Sequence, residues 1–266
     1  MRLLKSKPAG SKKPRRRSIS YEAEWAKVYG DDRDPVREIL VYPLLFAQIP
    51  DLSDAFVVDL GCGNGGLLHR ILGRSFARAI GFDISTDFLA EAQQLVSDAR
   101  VSFIQADITK RLPVEDFEVD CIFSVFVLNE IRQLDRLFRE CSRILKPSGA
   151  AHFIVTHPFL VAQSILHQKY KGVPLGKLSG LMDYKSREPF EYRFTLANAS
   201  ARFYQHTFEE YVDVITATNL RLTKLIEMRT DDAGFRGYEQ YWSDRDVPKY
   251  AYLRATRMMT EEGGSQ

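Results

Sequence analysis

Nine consecutive residues constrain this chain most: Val57-Val58-Asp59-Leu60-Gly61-Cys62-Gly63-Asn64-Gly65. Apolar and acidic strand residues run directly into glycines at three alternate positions. A backbone with this pattern leaves a buried strand, turns sharply and opens a helix. Glycine suits the turn because it lacks the Cβ that would forbid positive φ or block a close ligand. The turn is therefore expected to offer bare N–H groups at a helix start. A glycine-rich turn serves several kinds of site, so the elements that follow must discriminate.

Residues 66–72 place apolar side chains at 67, 68, 71 and 72, a helical spacing. A second strand, Ala77 to Phe82, ends at Asp83. An acid there, about 20 residues past the glycines, is where a nucleotide fold sets a carboxylate on ribose hydroxyls. Asp83 is also a candidate helix N-cap, but Ser85 or Thr86 is better placed for that. Val101 to Gln105 alternates as a half-buried strand and runs into Ala106-Asp107-Ile108. Asp107 suits either a ligand contact or a turn. Residues 116–126 read as a buried fourth strand with an acidic approach. Leu134, Leu137, Phe138, Cys141, Ile144 and Leu145 then give a helix that Lys146-Pro147-Ser148-Gly149 should stop, and a fifth strand follows over 151–155.

Over about residues 40–158 this succession resembles the class I S-adenosylmethionine-dependent methyltransferases. The resemblance implies an α/β fold: a doubly wound, seven-stranded, mostly parallel sheet with flanking helices and a cap inserted after the fifth strand. It implies S-adenosyl-L-methionine as cofactor. The residues matching the family's cofactor site are Asp59, Gly61, Cys62, Gly63, Asn64, Asp83, Ile84, Asp107, Ile108 and Ser124. Asp107 would accept from the adenine amine and Ile108 would touch the ring. The fourth strand's carboxyl end would face the transferable methyl group.

The chain has 266 residues, 45% hydrophobic and 27% charged, an ordinary globular composition. No run approaches the 18 or so apolar residues of a membrane span. Cys62, Cys121 and Cys141 lack metal or disulfide spacing, which fits a cytoplasmic protein without a metal site. Charge is uneven. Eight cations and no acid fall within residues 1–17, so the formal charge of +2 becomes −6 for the rest. Residues 1–18 read as a disordered basic tail. An acidic body makes a nucleic-acid partner unlikely. Tyr21, Trp25 and Tyr29 share one face of a helix. A second helix is expected over 35–47, kinked or interrupted at Pro43.

The expected organisation continues with a core over 19–158, a cap over 159–206 and completion of the sheet over 207–260. A structureless segment as long as 159–206 is improbable in a compact domain. Phe159 to Tyr170 looks helical, and strands at 192–196 and 201–204 could pair around 197–200. The segment's aromatics suit an apolar or aromatic small-molecule acceptor, and equally an ordinary small core. Thr207-Phe208-Glu209-Glu210 reads as a capping box. Strands are expected at 220–227 and 250–257, the last antiparallel.

Methyl transfer to oxygen or to a protonated nitrogen calls for a general base. His157, after the fifth strand, His206, at the cap's exit, and Glu130, after the fourth strand, are the candidates. Each also has a purely structural reading. Two other functions compete. One is an RNA or protein methyltransferase that uses the tail. Its weakness is that residues 124–130, Ser-Val-Phe-Val-Leu-Asn-Glu, lack the Asp/Asn-Pro-Pro-aromatic motif. The other is a non-catalytic binder of S-adenosylmethionine. Oligomeric state stays open.

Overall fold

A computed structural model describes residues 37–49, 51–169, 184, 190–194, 199–228 and 248–258. The basic tail and the aromatic face at Tyr21, Trp25 and Tyr29 lie outside the described residues. The chain enters through a π-helical turn, Arg37–Val41, which passes into helix α1, Tyr42–Gln48. Pro43 sits in the first turn of α1, where its missing N–H costs nothing.

Five parallel strands follow: β1 (Phe56–Leu60), β2 (Arg78–Asp83), β3 (Val101–Gln105), β4 (Val119–Val125) and β5 (Leu145–Thr156). Helices α2 (Gly66–Ile71), α3 (Thr86–Leu95) and α4 (Leu134–Ile144) make the crossovers. Beyond β5 come α5 (Pro158–Lys169), a hairpin of β6 (Phe190–Phe194) and β7 (Ala199–Phe203), α6 (Phe208–Thr216), β8 (Leu220–Met228) and β9 (Tyr250–Arg257). The main sheet has seven strands in the order β3-β2-β1-β4-β5-β9-β8. β9 is antiparallel to both its neighbours.

All five residues of β1 are buried, as a strand covered on both faces requires. Val58, Leu60, Ile122 and Phe153 pack on one face with Leu137 and Phe138 of α4 and Tyr211 of α6. Val57, Cys121, Phe123 and Ile154 pack on the other with Leu45 of α1 and Leu68 of α2. Chain order reverses at β1, which lies between β2 and β4. The crevice beyond the carboxyl ends of β1 and β4 is where such a sheet binds ligands.

Two expectations are corrected. Lys146 to Gly149 does not separate helix from strand, because α4 passes directly into β5. Val119 pairs with Leu145 and Cys121 with Ala150, so this stretch bulges out of the ladder. Pro147 has no N–H to give to a ladder, which favours the bulge. The hairpin also begins two residues earlier than expected, Phe194 pairing with Ala199. The chain leaving β7 then hydrogen-bonds to the 3₁₀ turn Leu128–Glu130 beyond β4: Tyr204 N donates to Asn129 O at 2.7 Å.

Candidate functional site

The glycine turn is held from below. Gly61 N and Cys62 N both donate to Phe82 O, at 2.7 and 2.9 Å, and Gly63 N donates to Asp83 Oδ2 at 2.9 Å. The amides of 61–63 are therefore engaged by the end of β2, contrary to the expectation of bare donors. The turn offers closeness instead. Gly61 has φ +72°, and a Cβ there would lie 2.4 Å from Val127 Cγ2. Gly63 has φ +53°, and a Cβ there would meet nothing within 4 Å, because its open side faces a cavity.

That cavity measures about 480 Å³, within the range of small-ligand sites. Asp59, Gly61, Cys62, Gly63, Asn64, Asp83, Ile84, Asp107 and Ile108 all line it. Asp83 Oδ1 accepts from Ser85 N at 2.9 Å, while Ser85 Oγ caps α3 by accepting from Phe88 N. Asp83 is thus not the cap. With one backbone donor on each oxygen, its carboxylate still has lone pairs toward the cavity. Burial raises its pKa, against the backbone hydrogen bonds. Asp107 Oδ1 accepts from Thr109 N and Oγ1 at 3.0 and 2.6 Å, and Lys110 Nζ lies 3.4 Å from Oδ2. Burial acts to raise its pKa, but the Thr109 and Lys110 contacts together hold it below the usual carboxylate value. Ile84 is 54% exposed, an apolar surface at the mouth, and Ile108 is buried.

Asp59 is 2% exposed. Burial first, and the nearby charge of Asp83 second, push its pKa up to about 8, with Arg37 pulling the other way. Arg37 lines the same cavity, its guanidinium 5.7 Å from the centre of the Phe126 ring. Phe126 has φ +62° just beyond β4, a strain of about 1–3 kcal/mol for a residue with a bulky side chain. Its N–H is fixed on Ile154 O at 2.8 Å, and its ring packs on Tyr250 at 5.0 Å.

Of the three catalytic candidates, Glu130 lines the cavity and the histidines do not. His157 is buried, with Nδ1 accepting from Phe159 N at 3.1 Å and Nε2 facing Glu227 Oε1 at 2.9 Å. It ties the end of β5 to α5 and β8. His206 is also buried, donating from Nε2 to Ile131 O at 2.8 Å with Glu210 beside Nδ1 at 3.2 Å. Ser124 does not line the cavity either, since its hydroxyl donates to Leu60 O at 3.0 Å and joins β4 to β1. Sequence reasoning missed Arg37, Arg132 and Arg136, which all line the cavity. Arg132 and Arg136 flank the start of α4, where local pattern reads them as solvated helix residues.

Comparison with known proteins matches residues 58–153 to the family model described as "Methyltransferase domain". The chain is 28% identical over 173 residues to a trans-aconitate 2-methyltransferase of Azoarcus sp., covering 64% of this chain and 67% of that protein. It is 30% identical over 109 residues to a malonyl-[acyl-carrier protein] O-methyltransferase of Enterobacter lignolyticus, covering 41% and 42%. The chain spans about half the length of the curated relatives it matches. Among solved structures, an S-adenosylmethionine-dependent methyltransferase from Mesorhizobium loti superposes with a TM-score of 0.63 at 19% identity, covering 81% and 97%. The matched stretch runs from the middle of β1 into β5 and includes the glycine turn, Asp83 and Asp107. Residues 58–153 match the methyltransferase-domain family, and the sheet that carries them is the Rossmann-like sheet of the class I S-adenosylmethionine-dependent methyltransferases.

Proposed function

We propose that this chain transfers the methyl group of S-adenosyl-L-methionine to an oxygen or nitrogen atom of a small-molecule acceptor. One observation carries the reading. The groups needed to hold a nucleoside joined to an amino acid converge on a single cavity at the switch point of the sheet. Asp83 suits the ribose hydroxyls, and Asp107 the adenine amine, with Ile84 and Ile108 against the ring. Gly63 leaves room for the chain joining ribose to methionine. Asp59 suits the ammonium of the methionine portion, and Arg37 its carboxylate. Bound there, the sulfonium supplies an activated methyl group. The protein's own contribution is alignment of the acceptor with that group, and in such reactions positioning provides much of the rate. Glu130 is the described cavity residue placed to take a proton from an acceptor that carries one.

The name of one curated relative, trans-aconitate 2-methyltransferase, supports a small acceptor. Three free, buried cysteines suit a reducing, cytoplasmic setting. No helix among the described residues is long and apolar enough to cross a membrane.

Calorimetry with S-adenosylhomocysteine tests the reading. The wild-type chain should bind it. Asp83→Ala should weaken binding ten-fold or more, since hydrogen bonds to a charged group contribute about 1.5–3 kcal/mol. Unchanged affinity in the folded variant would remove Asp83 from the site, and no binding by the wild type would end the reading.

A further inference from the structure

We propose that the acceptor is a carboxylic acid, methylated on a carboxylate oxygen. The proposal rests on the methyl-transfer reading above and adds the substrate class.

The first argument concerns proton removal. An alcohol, phenol or ammonium acceptor must lose a proton, which calls for a base near neutrality. No histidine lines the cavity among the described residues. His157 and His206 are held in contacts directed elsewhere. His152 faces Tyr252 inside the sheet, and His69 is exposed on α2. Cys62 and Tyr42 line the cavity, but burial raises both pKa values and keeps them protonated. With Asp59, Asp83 and Asp107 engaged by the methyl donor, Glu130 is the acid that remains among the described cavity residues. A carboxylate acceptor needs no base, because its pKa near 4 leaves it ionised at neutral pH.

The second argument concerns charge at the mouth. Arg132 and Arg136 are exposed, line the same cavity and make no ion pair among the described residues. Guanidinium groups match carboxylates through paired, charge-assisted hydrogen bonds. Two of them beside one acid, Glu130, give this part of the lining a net positive charge that attracts anions. In the transfer, a carboxylate oxygen lone pair forms the new O–C bond while the C–S bond breaks with its electrons passing to sulfur. An anion and a sulfonium become a neutral ester and a neutral thioether, and no proton changes hands.

Two measurements on the full chain test this. With the protein saturated by S-adenosylhomocysteine, calorimetry should detect binding of trans-aconitate and not of its trimethyl ester. Replacing both arginines, R132A/R136A, should weaken the acid about ten-fold or more with the melting temperature unchanged. Equal binding of acid and ester, or binding of neither, would overturn the proposal. The second measurement supplies donor labelled in the methyl group and an extract of small metabolites. Mild alkali should release the transferred label as volatile methanol, as from a methyl ester. With the donor saturating, the rate should be flat between about pH 6 and pH 9, where the acceptor stays ionised. Label in an alkali-stable ether or amine would overturn the carboxylate and leave methyl transfer standing. So would loss of turnover in E130Q with recovery at high pH. Absence of any labelled product from a chain that binds the donor also counts against it. A chain that fails to bind S-adenosylhomocysteine defeats the underlying reading instead.

Discussion

Asp59 shows how one buried side chain couples ligand binding to protons. With its pKa pushed up to about 8, it is largely neutral at pH 7 in the free protein. Its folded pKa lies above the ordinary 3.8, so the fold favours the protonated form. The free protein should lose stability as pH rises from about 4 toward 8. An ammonium placed against Asp59 favours ionisation, so donor binding should expel close to one proton near pH 7 and none well above pH 8. Binding enthalpies measured at pH 7 in buffers of different ionisation heat should differ accordingly, and Asp59→Asn should abolish the difference. The glycines separate two kinds of damage. Gly61→Val should prevent folding, because its side chain is driven into Val127. Gly63→Ala should fold with a loss of roughly 1–2 kcal/mol for its left-handed backbone. It should still lose S-adenosylhomocysteine affinity, since its methyl group enters the cavity. Thermal unfolding beside calorimetry distinguishes the two. These positions were legible because glycine and acid each follow a strand within a few residues. Arg37 was not, because it meets Asp59 only through the packing of an entering helix.

At the scale of elements, caps and periodicity were the readable signals. Thr207 Oγ accepts from Glu210 N at 3.1 Å, as its capping pattern promised. Thr207→Ala should cost about 1 kcal/mol in chemical denaturation. The strands β1 to β4 were readable from apolar runs broken by turn residues. What escaped reading depends on distant partners. His157 follows a strand, as a catalytic residue would, but its partner Glu227 is 70 residues away on β8. His206 is held by Ile131 O, 75 residues away. Asn129 behaves likewise: its Oδ1 accepts from Thr156 N at 3.2 Å while its backbone oxygen receives Tyr204 N. The hairpin slipped by two residues because a four-residue connection without glycine or proline carries no register signal of its own. The Lys146 to Gly149 bulge looked like a boundary because Pro and Gly mark bulges as readily as stops.

For the whole molecule, acid sensitivity should concentrate at the centre of the sheet. His152 is fully buried between Phe123 and Tyr252, its Nδ1 2.9 Å from the tyrosine hydroxyl. Burial, and secondarily Arg254, lower its pKa to about 3. The unfolded chain takes up a proton below about pH 6.5 that the fold refuses. Stability is therefore complete above that value and falls as pH drops toward 3, by up to about 1.4 kcal/mol per unit. Asp59 acts in the opposite sense over the same range, so denaturant titrations from pH 7 to pH 4 should show this slope in the Asp59→Asn background, and adding His152→Leu should flatten it. The place of β9 has a different consequence. It is the last strand among the described residues, yet it lies between β5 and β8. During synthesis the ribosome releases β5 long before residues 250–257 exist to pair with it. Until then one flank of β5 is an open edge, and β8 has no neighbour to join. Open edges recruit other chains. The nascent protein must therefore wait, exposed, for residues 250–257, and a chaperone that shields strand edges would find its substrate in that interval.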